Sequence, residues 1–272
     1  MRIRTRSALG AIAAVLAIPP AVAISPVASV EIAHREYDSR ERAPDGADLN
    51  RERGGLHGLA LGLSVDSASG RWSVQAAHAQ GDVGYTGVSQ TGVPLRTVTD
   101  LRVQRLELFW APAWQFQHGD VSLGGHAGFA HQRLHRAIRA SEVSGPLTET
   151  LDATWLQGGM LVEVPLAGSW WLQAEARLAW PLRLDLDVES FGVYDDFSLR
   201  PRRRLSNRMA AGVLWQATPR LRTGLWLTHE HWRFGRSGER PLHQDGAMVG
   251  TASYPGSRQL LAGVSLRLEY QF

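Results

Sequence analysis

The chain has 272 residues, no cysteine, and 29 basic against 26 acidic residues; every basic residue is an arginine. The lack of cysteine excludes a disulfide framework and a lipid anchor on an N-terminal cysteine. Three arginines lie in the first six residues, so the formal charge of +3 resides in that segment and carries no signal for nucleic acid.

Arg2, Arg4 and Arg6 precede an apolar run from Ala8 to Ile18, then Pro19-Pro20 and Ala21-Val22-Ala23. This charged, apolar, small-x-small order predicts a secretory signal peptide over residues 1–23, cleaved after Ala23. The run is too short to span a bilayer as a helix, and the two prolines interrupt it. Removing three of the 29 arginines leaves 26 against 26 acidic residues, so residues 24–272 are formally neutral and read as one domain. No later segment reaches eighteen consecutive apolar residues. No glycine-rich phosphate loop, zinc-type spacing or Gly-x-Ser-x-Gly elbow occurs.

What recurs instead is period-two alternation, the pattern of strands with two unlike faces. It predicts ten strands near 27–37, 55–65, 71–83, 100–114, 120–132, 152–166, 170–182, 205–217, 221–233 and 258–272. Leu106, Leu108 and Trp110 oppose Arg105, Glu107 and Phe109. Leu156, Gly158, Met160, Val162, Val164 and Leu166 oppose Trp155, Gln157, Gly159, Leu161 and Glu163. Trp170, Leu172, Ala174, Ala176, Leu178 and Trp180 oppose Trp171, Gln173, Glu175 and Arg177. Met209, Ala211, Val213 and Trp215 oppose Arg208, Ala210, Gly212 and Gln216. Each apolar face is free of charge while the other face carries Arg and Glu. Lipid outside and a polar lumen inside account for that sorting. Connections alternate between short turns (66–70, 115–119, 167–169, 218–220) and long stretches (38–54, 84–99, 133–151, 183–204, 234–257). Within 181–204, Leu184, Leu186 and Val188 alternate with Arg183, Asp185, Asp187 and Glu189, which leaves open a seventh strand extended beyond the membrane, an added external hairpin or a count of twelve.

In the last strand, Val264, Leu266, Leu268, Tyr270 and Phe272 share one face, against Ser265, Arg267, Glu269 and Gln271. On these residues the sequence resembles bacterial outer-membrane β-barrels, whose final strand ends in an aromatic residue after alternating apolar ones. The resemblance implies an all-β, antiparallel, up-and-down transmembrane barrel of about ten strands in the outer membrane of a Gram-negative bacterium. It further implies short periplasmic turns, long external loops, and Tyr270 and Phe272 as the signal read by the barrel-assembly machinery. Outer-membrane lipids and lipopolysaccharide are the implied surroundings, and a monomer without cofactor is expected.

The aromatic residues sort by hairpin end. Trp72, Trp110, Trp114, Trp170, Trp171, Trp215, Tyr270 and Phe272 lie near short turns, which predicts a periplasmic girdle. Tyr85, Phe129, Trp155, Trp180, Trp232 and Tyr254 lie near long loops and are expected to form the opposite belt.

Inward positions carry both signs. Arg105, Glu107, Glu163, Glu175, Arg177, Arg208, Arg267 and Glu269 form the candidate lumen network, joined by Glu31, Arg35, His126, Arg222 and Glu230. Such charges either pair and fill a narrow barrel or line a polar path. Small inward residues on the second strand (Gly58, Ala60, Gly62) leave one side roomier. Among small barrels, omptin proteases also have ten strands, with paired aspartates facing an Asp–His pair. The candidates here, Asp195-Asp196 and His229-Glu230-His231, depart from that pattern: the aspartates are adjacent, and His stands where Asp is needed. Near the third loop, His131, His135, Ser141 and Ser144 are candidates for an outer-leaflet hydrolase, without fixed geometry. Arg202, Arg203 and Arg204 are candidates for contact with lipopolysaccharide phosphates. The expectation is a non-enzymatic barrel acting by passive small-solute passage or surface contact, with an outer-leaflet hydrolase as the other reading.

Overall fold

A computed structural model describes residues 26–43, 46–88, 93–113, 116–118 and 120–272. The expected signal peptide and Trp114 lie outside the described residues. Those residues form β1 (Val27–Arg42), β2 (Asp48–Ser67), β3 (Gly70–Val88), β4 (Pro94–Pro112), β5 (Phe116–His118), β6 (Val121–Ile138), β7 (Leu147–Pro165) and β8 (Trp170–Glu189). There follow β9 (Phe197–Leu199), β10 (Arg202–Arg203), β11 (Ser206–Gln216), β12 (Leu221–Gly235), β13 (Arg240–Gln244), β14 (Ala247–Ala252) and β15 (Ser257–Gln271).

Ten long strands, β1, β2, β3, β4, β6, β7, β8, β11, β12 and β15, pair antiparallel in chain order, and β15 joins β12 to β1 to close the barrel. Closure leaves no open edge, as a hydrocarbon surrounding requires. Five short strands lie outside this ring of ten. β5 pairs with β6, and β10 with β12. β9 folds back on β8, and β13 and β14 make a separate hairpin in the last external connection. Within 181–204 the count therefore stays at ten, with β8 running to Glu189 and β9 returning along it.

Most strands continue well past their expected external ends, because the alternation does not stop there but inverts. In the lower half, Ile32, Leu59, Leu61, Leu106, Leu156, Leu178, Met209, Leu225, Leu227 and Leu266 are exposed on the outer wall. Above them, the outer wall turns to Arg, Asp and Glu, while Tyr37, Leu56, Val83, Leu101, Leu134, Leu151, Leu184, Leu186, Phe234 and Leu261 pack inside. β3 has 19 residues, about 60 Å of strand; tilted by about 40° it stands well above an apolar band about 25 Å tall. The barrel thus has a membrane half with a polar interior and an external half with an apolar one.

The seventh barrel strand crosses between these regimes through a bulge. Trp155 pairs with Pro181 but Thr154 pairs with Arg183, so Leu182 is the extra residue. A bulge shifts face parity by one and is where a strand tolerates proline. Trp180 therefore points to lipid, whereas Leu184, Leu186 and Val188 point inward.

The girdles are corrected on the same grounds. Trp72 packs with Trp110, Trp170 with Trp215, and Tyr270 with Phe272 at the short-turn end of the outer wall. Trp171 instead faces the lumen beside Ala210, Leu214 and Trp226. At the upper margin only Phe129 and Trp180 face outward; Tyr85, Trp155, Trp232 and Tyr254 are buried inside. Each has the strand parity or loop position of an interior residue, and proximity to a long loop does not decide the face. The outer margin carries histidines, among them His34, His57, His78, His131 and His229.

Candidate functional site

Two layers of side chains fill the lumen. In the membrane half, Glu230 is 1% exposed and receives Arg105 Nη2 at 2.7 Å, Arg35 Nη1 at 3.3 Å and Arg208 Nε at 3.6 Å. Glu107, equally enclosed, meets Arg177 Nη1 at 3.4 Å and Arg105 Nη1 at 3.6 Å. Arg177 also pairs with Glu175, which lies 3.2 Å from His126 Nε2. Lower down, Arg267 pairs with Glu31 at 2.6 Å and lies 3.9 Å from Glu269; Gln173 donates to Glu163. The eight expected network residues therefore fall into a central cluster (Arg105, Glu107, Glu175, Arg177, Arg208) and a lower group (Arg267, Glu269, Glu163). Guanidinium planes stack on aromatic faces at three points: Arg105 on Trp232, Arg177 on Phe109 and Arg267 on Trp226. Trp226 in turn lies over Gly212, where an added Cβ would come within 2.5 Å of the indole.

Above Trp232 lies the apolar core of the external half, and near its top a second ionic cluster. Arg136 is 5% exposed and holds Glu41 at 3.0 Å, Glu52 at 3.1 Å and Glu149 at 2.5 Å. Thr99 donates to Glu52 at 2.7 Å, and Asn50 donates to Glu41 at 2.8 Å. Burial pushes the Glu149 carboxyl up to about 7 against the pull of Arg136, with Glu41 and Glu52 adding to the rise. Glu41 and Glu52 fall within the expected long connection 38–54, yet both are interior strand residues. Their parity with Glu31, Tyr37 and Leu56 was the signal that could have found them.

The small residues of β1–β3 do leave room, but little: a cavity of about 30 Å³ lies beside Ala33, Gly58, Ala60, Ala77, Arg35 and Arg105. That is space for one or two waters.

The other candidates do not come together. His229 and His231 face the outer wall, whereas Glu230 between them is the centre of the lumen network. Asp195 accepts the backbone N–H groups of Asp245 (3.2 Å) and Gly246 (3.1 Å), both of positive φ, and so ties down the β13–β14 turn. Ser141 Oγ accepts from Val143 and Ser144 N–H within its own turn. His131 and His135 stand beside Thr154 and Thr150 across the strand pair. Among the described residues no group of three or more His, Asp or Glu has the geometry of a metal site. Arg202, Arg203 and Arg204 are exposed at the rim, where β10 runs beside Phe234 and Gly235 of β12.

An apolar outer band with an aromatic girdle, a closed antiparallel ladder and charges turned inward define a transmembrane β-barrel. No family model matches the sequence, and no curated protein matches it. Among solved structures, the outer membrane protease OmpT from Escherichia coli superposes with a TM-score of 0.65 at 12% identity, covering 93% of this chain and 99% of that one. The transport unit of the autotransporter AIDA-I from Escherichia coli gives 0.46 at 12% identity over 90% of each chain. The translocator domain of NalP from Neisseria meningitidis gives 0.42 at 11% identity, over 90% of this chain and 88% of that one. The fold is that of a bacterial outer-membrane β-barrel, and the chain is an integral outer-membrane protein of ten barrel strands.

Proposed function

We propose that this protein is a closed, non-enzymatic outer-membrane barrel that acts as a monomer through contact at its external face. The carrying observation is that the lumen is interrupted twice, by the ionic layer around Glu230 and Glu107 and by the apolar core above Trp232. A solute path would have to cross both. The surface-contact half of the sequence expectation is therefore the one the geometry favours over passive passage. Arg202, Arg203 and Arg204, exposed at the rim, are proposed to contact lipopolysaccharide phosphates, since guanidinium groups bind phosphate through paired N–H donors. Tyr270 and Phe272 are proposed as the signal that the barrel-assembly machinery reads.

The test is conductance in planar bilayers. Purified, refolded protein is expected to insert without steady channels in simple salt, with folding checked by heat-modifiable migration. A reproducible open conductance from folded protein overturns the closed-lumen reading.

A further inference from the structure

On the outer wall, six to eight residues above the last exposed aliphatic side chain of each strand, four arginines stand in one row across four neighbouring strands. The register sets Arg233 of β12 against Arg258 of β15, Arg258 against Arg40 of β1, and Arg40 against Arg51 of β2. All four have the outward parity of Leu227, Leu266, Ile32 and Leu59 on the same strands. At about 4.8 Å per strand the row covers about 15 Å of wall. Like charges directly opposite one another on a sheet are destabilising, so the alignment costs stability unless an anion lies along it.

The protein supplies little of that anion itself. Asp38 takes Arg51 at 2.5 Å and Arg40 at 3.4 Å. Arg233 reaches only His231 Nδ1, at 3.4 Å, and Arg258 has no ion pair among the described residues. The opposite wall at similar height is built differently. There Arg133 lies against Asp152, Arg139 between Asp82 and Asp100, and Arg183 and Arg200 both against Asp185. Arg233 and Arg258 thus stand without a carboxylate partner among the described residues, whereas these far-wall arginines are each paired.

Height completes the argument. Down β12 the outward positions are His231 and His229 and then the exposed Leu227 and Leu225. Down β1 they are Asp38, Glu36 and His34, whose ring lies 4.9 Å from that of His57, and then Ile32, while Val264 and Leu266 continue the exposed band on β15. Arg233 and Arg258 stand six residues, about 20 Å of strand, above Leu227 and Val264, so a lipid whose chains lie on that apolar wall extends its headgroup toward them.

We propose that the wall formed by β12, β15, β1 and β2 is a seat for a phosphorylated glycolipid headgroup of the outer leaflet, with a phosphate held between Arg233 and Arg258. This deepens the rim contact proposed for Arg202–Arg204 and rests on the same placement in the bilayer, but names different residues.

The experiment uses the full barrel in detergent micelles with lipid A bearing two phosphates, the same lipid dephosphorylated, and inorganic phosphate as probes, with retention read by native mass spectrometry. R233Q/R258Q is expected to lower retention of the phosphorylated lipid by at least about tenfold, a loss of about one charge-assisted phosphate contact. R133Q/R139Q on the far wall is expected to leave it unchanged, and the dephosphorylated lipid is expected to bind all variants equally weakly. Both double variants replace exposed side chains, and heat-modifiable migration checks that each folds. Equal retention by R233Q/R258Q and the parent overturns the seat. So does an equal loss in R133Q/R139Q, or inorganic phosphate displacing the lipid at equal concentration, which would mark a free-phosphate site. If R202Q/R203Q/R204Q alone lowers retention, the rim contact stands and the seat falls; if only R233Q/R258Q does, the reverse holds.

Discussion

Glu230→Gln tests the lumen most directly, because it removes one charge and almost no volume. Glu230 is 1% exposed and has three guanidinium groups within 3.6 Å, from Arg35, Arg105 and Arg208. Taking away one partner of a buried ion pair costs about 3–5 kcal/mol, since the remaining charges stay buried and uncompensated. The Gln carbonyl can still accept from Arg105, while its amide N–H groups face cations, so the expected loss is near the lower end, about 3 kcal/mol. Urea unfolding of protein refolded into phosphatidylcholine vesicles, followed by tryptophan fluorescence, reads this loss as a lower midpoint. Trp232 under the Arg105 guanidinium reports from within the layer. The double variant R105Q/E230Q removes one charge of each sign and is expected to cost clearly less than the two single changes together. The apolar core above remains in every variant, so all stay silent in the conductance assay. A change of under about 0.5 kcal/mol for E230Q, or strict additivity in the double variant, refutes the reasoning that this layer is held by mutual charge compensation.

Two further outcomes follow from the other halves of the barrel. Glu149 has its carboxyl pushed up to about 7, above the ordinary carboxylate value, mainly by burial. Between those values the folded protein binds more protons than the unfolded chain, so this contribution is fully present at low pH and lost as pH rises through about 7. E149Q is therefore expected to flatten the pH dependence of the urea midpoint from pH 5 to 8 and to raise stability at pH 8 by on the order of 1–3 kcal/mol; an unchanged slope counts against it. On the lipid face, Leu227 is 61% exposed at the middle of β12. L227R is expected to cost about 2–4 kcal/mol in vesicles, and a neutral result there would show that this wall does not meet hydrocarbon.

The membrane half was legible from the residues because lipid imposes a one-sided rule. Leu106 and Leu108 against Arg105 and Glu107 can be read without partners, since every outward position there must be apolar. The external half obeys a two-sided rule, with water outside and a core inside, and the same alternation then means the opposite. The expected ends at 37, 55 and 132 therefore stop short of Glu41, Glu52 and Arg136, which the strands include. Trp155 shares the parity of Gln157 and Glu163 and is buried, although its nearness to a long loop predicts a place in the belt. The bulge at Leu182 is a different matter: it moves Leu184 and Leu186 from one face to the other, and nothing short of strand pairing fixes where it falls. Ion-pair partners such as Arg35 and Glu230 are 195 residues apart. Their meeting depends on closure of the barrel, which sets who faces whom across the lumen.

The inversion at the histidine level also constrains how the protein can act. In the membrane half the buried charges are stable only as a compensated set, so admitting a solute would leave several of them unpaired at once. In the external half the obstruction is a packed apolar core that includes Trp155, Phe234 and Tyr254, and opening it would expose that surface to water. These costs have different physical origins, so no single ligand or pH change relieves both. Arg136 lies above the core and Glu230 below it, with no shared partner, so a stimulus at the rim has no charged route to the lower layer. What the fold leaves free to vary is the outer surface: the rim of β10, the β13–β14 hairpin and the arginine row of β12, β15, β1 and β2. The contacts proposed for this barrel all lie on those surfaces.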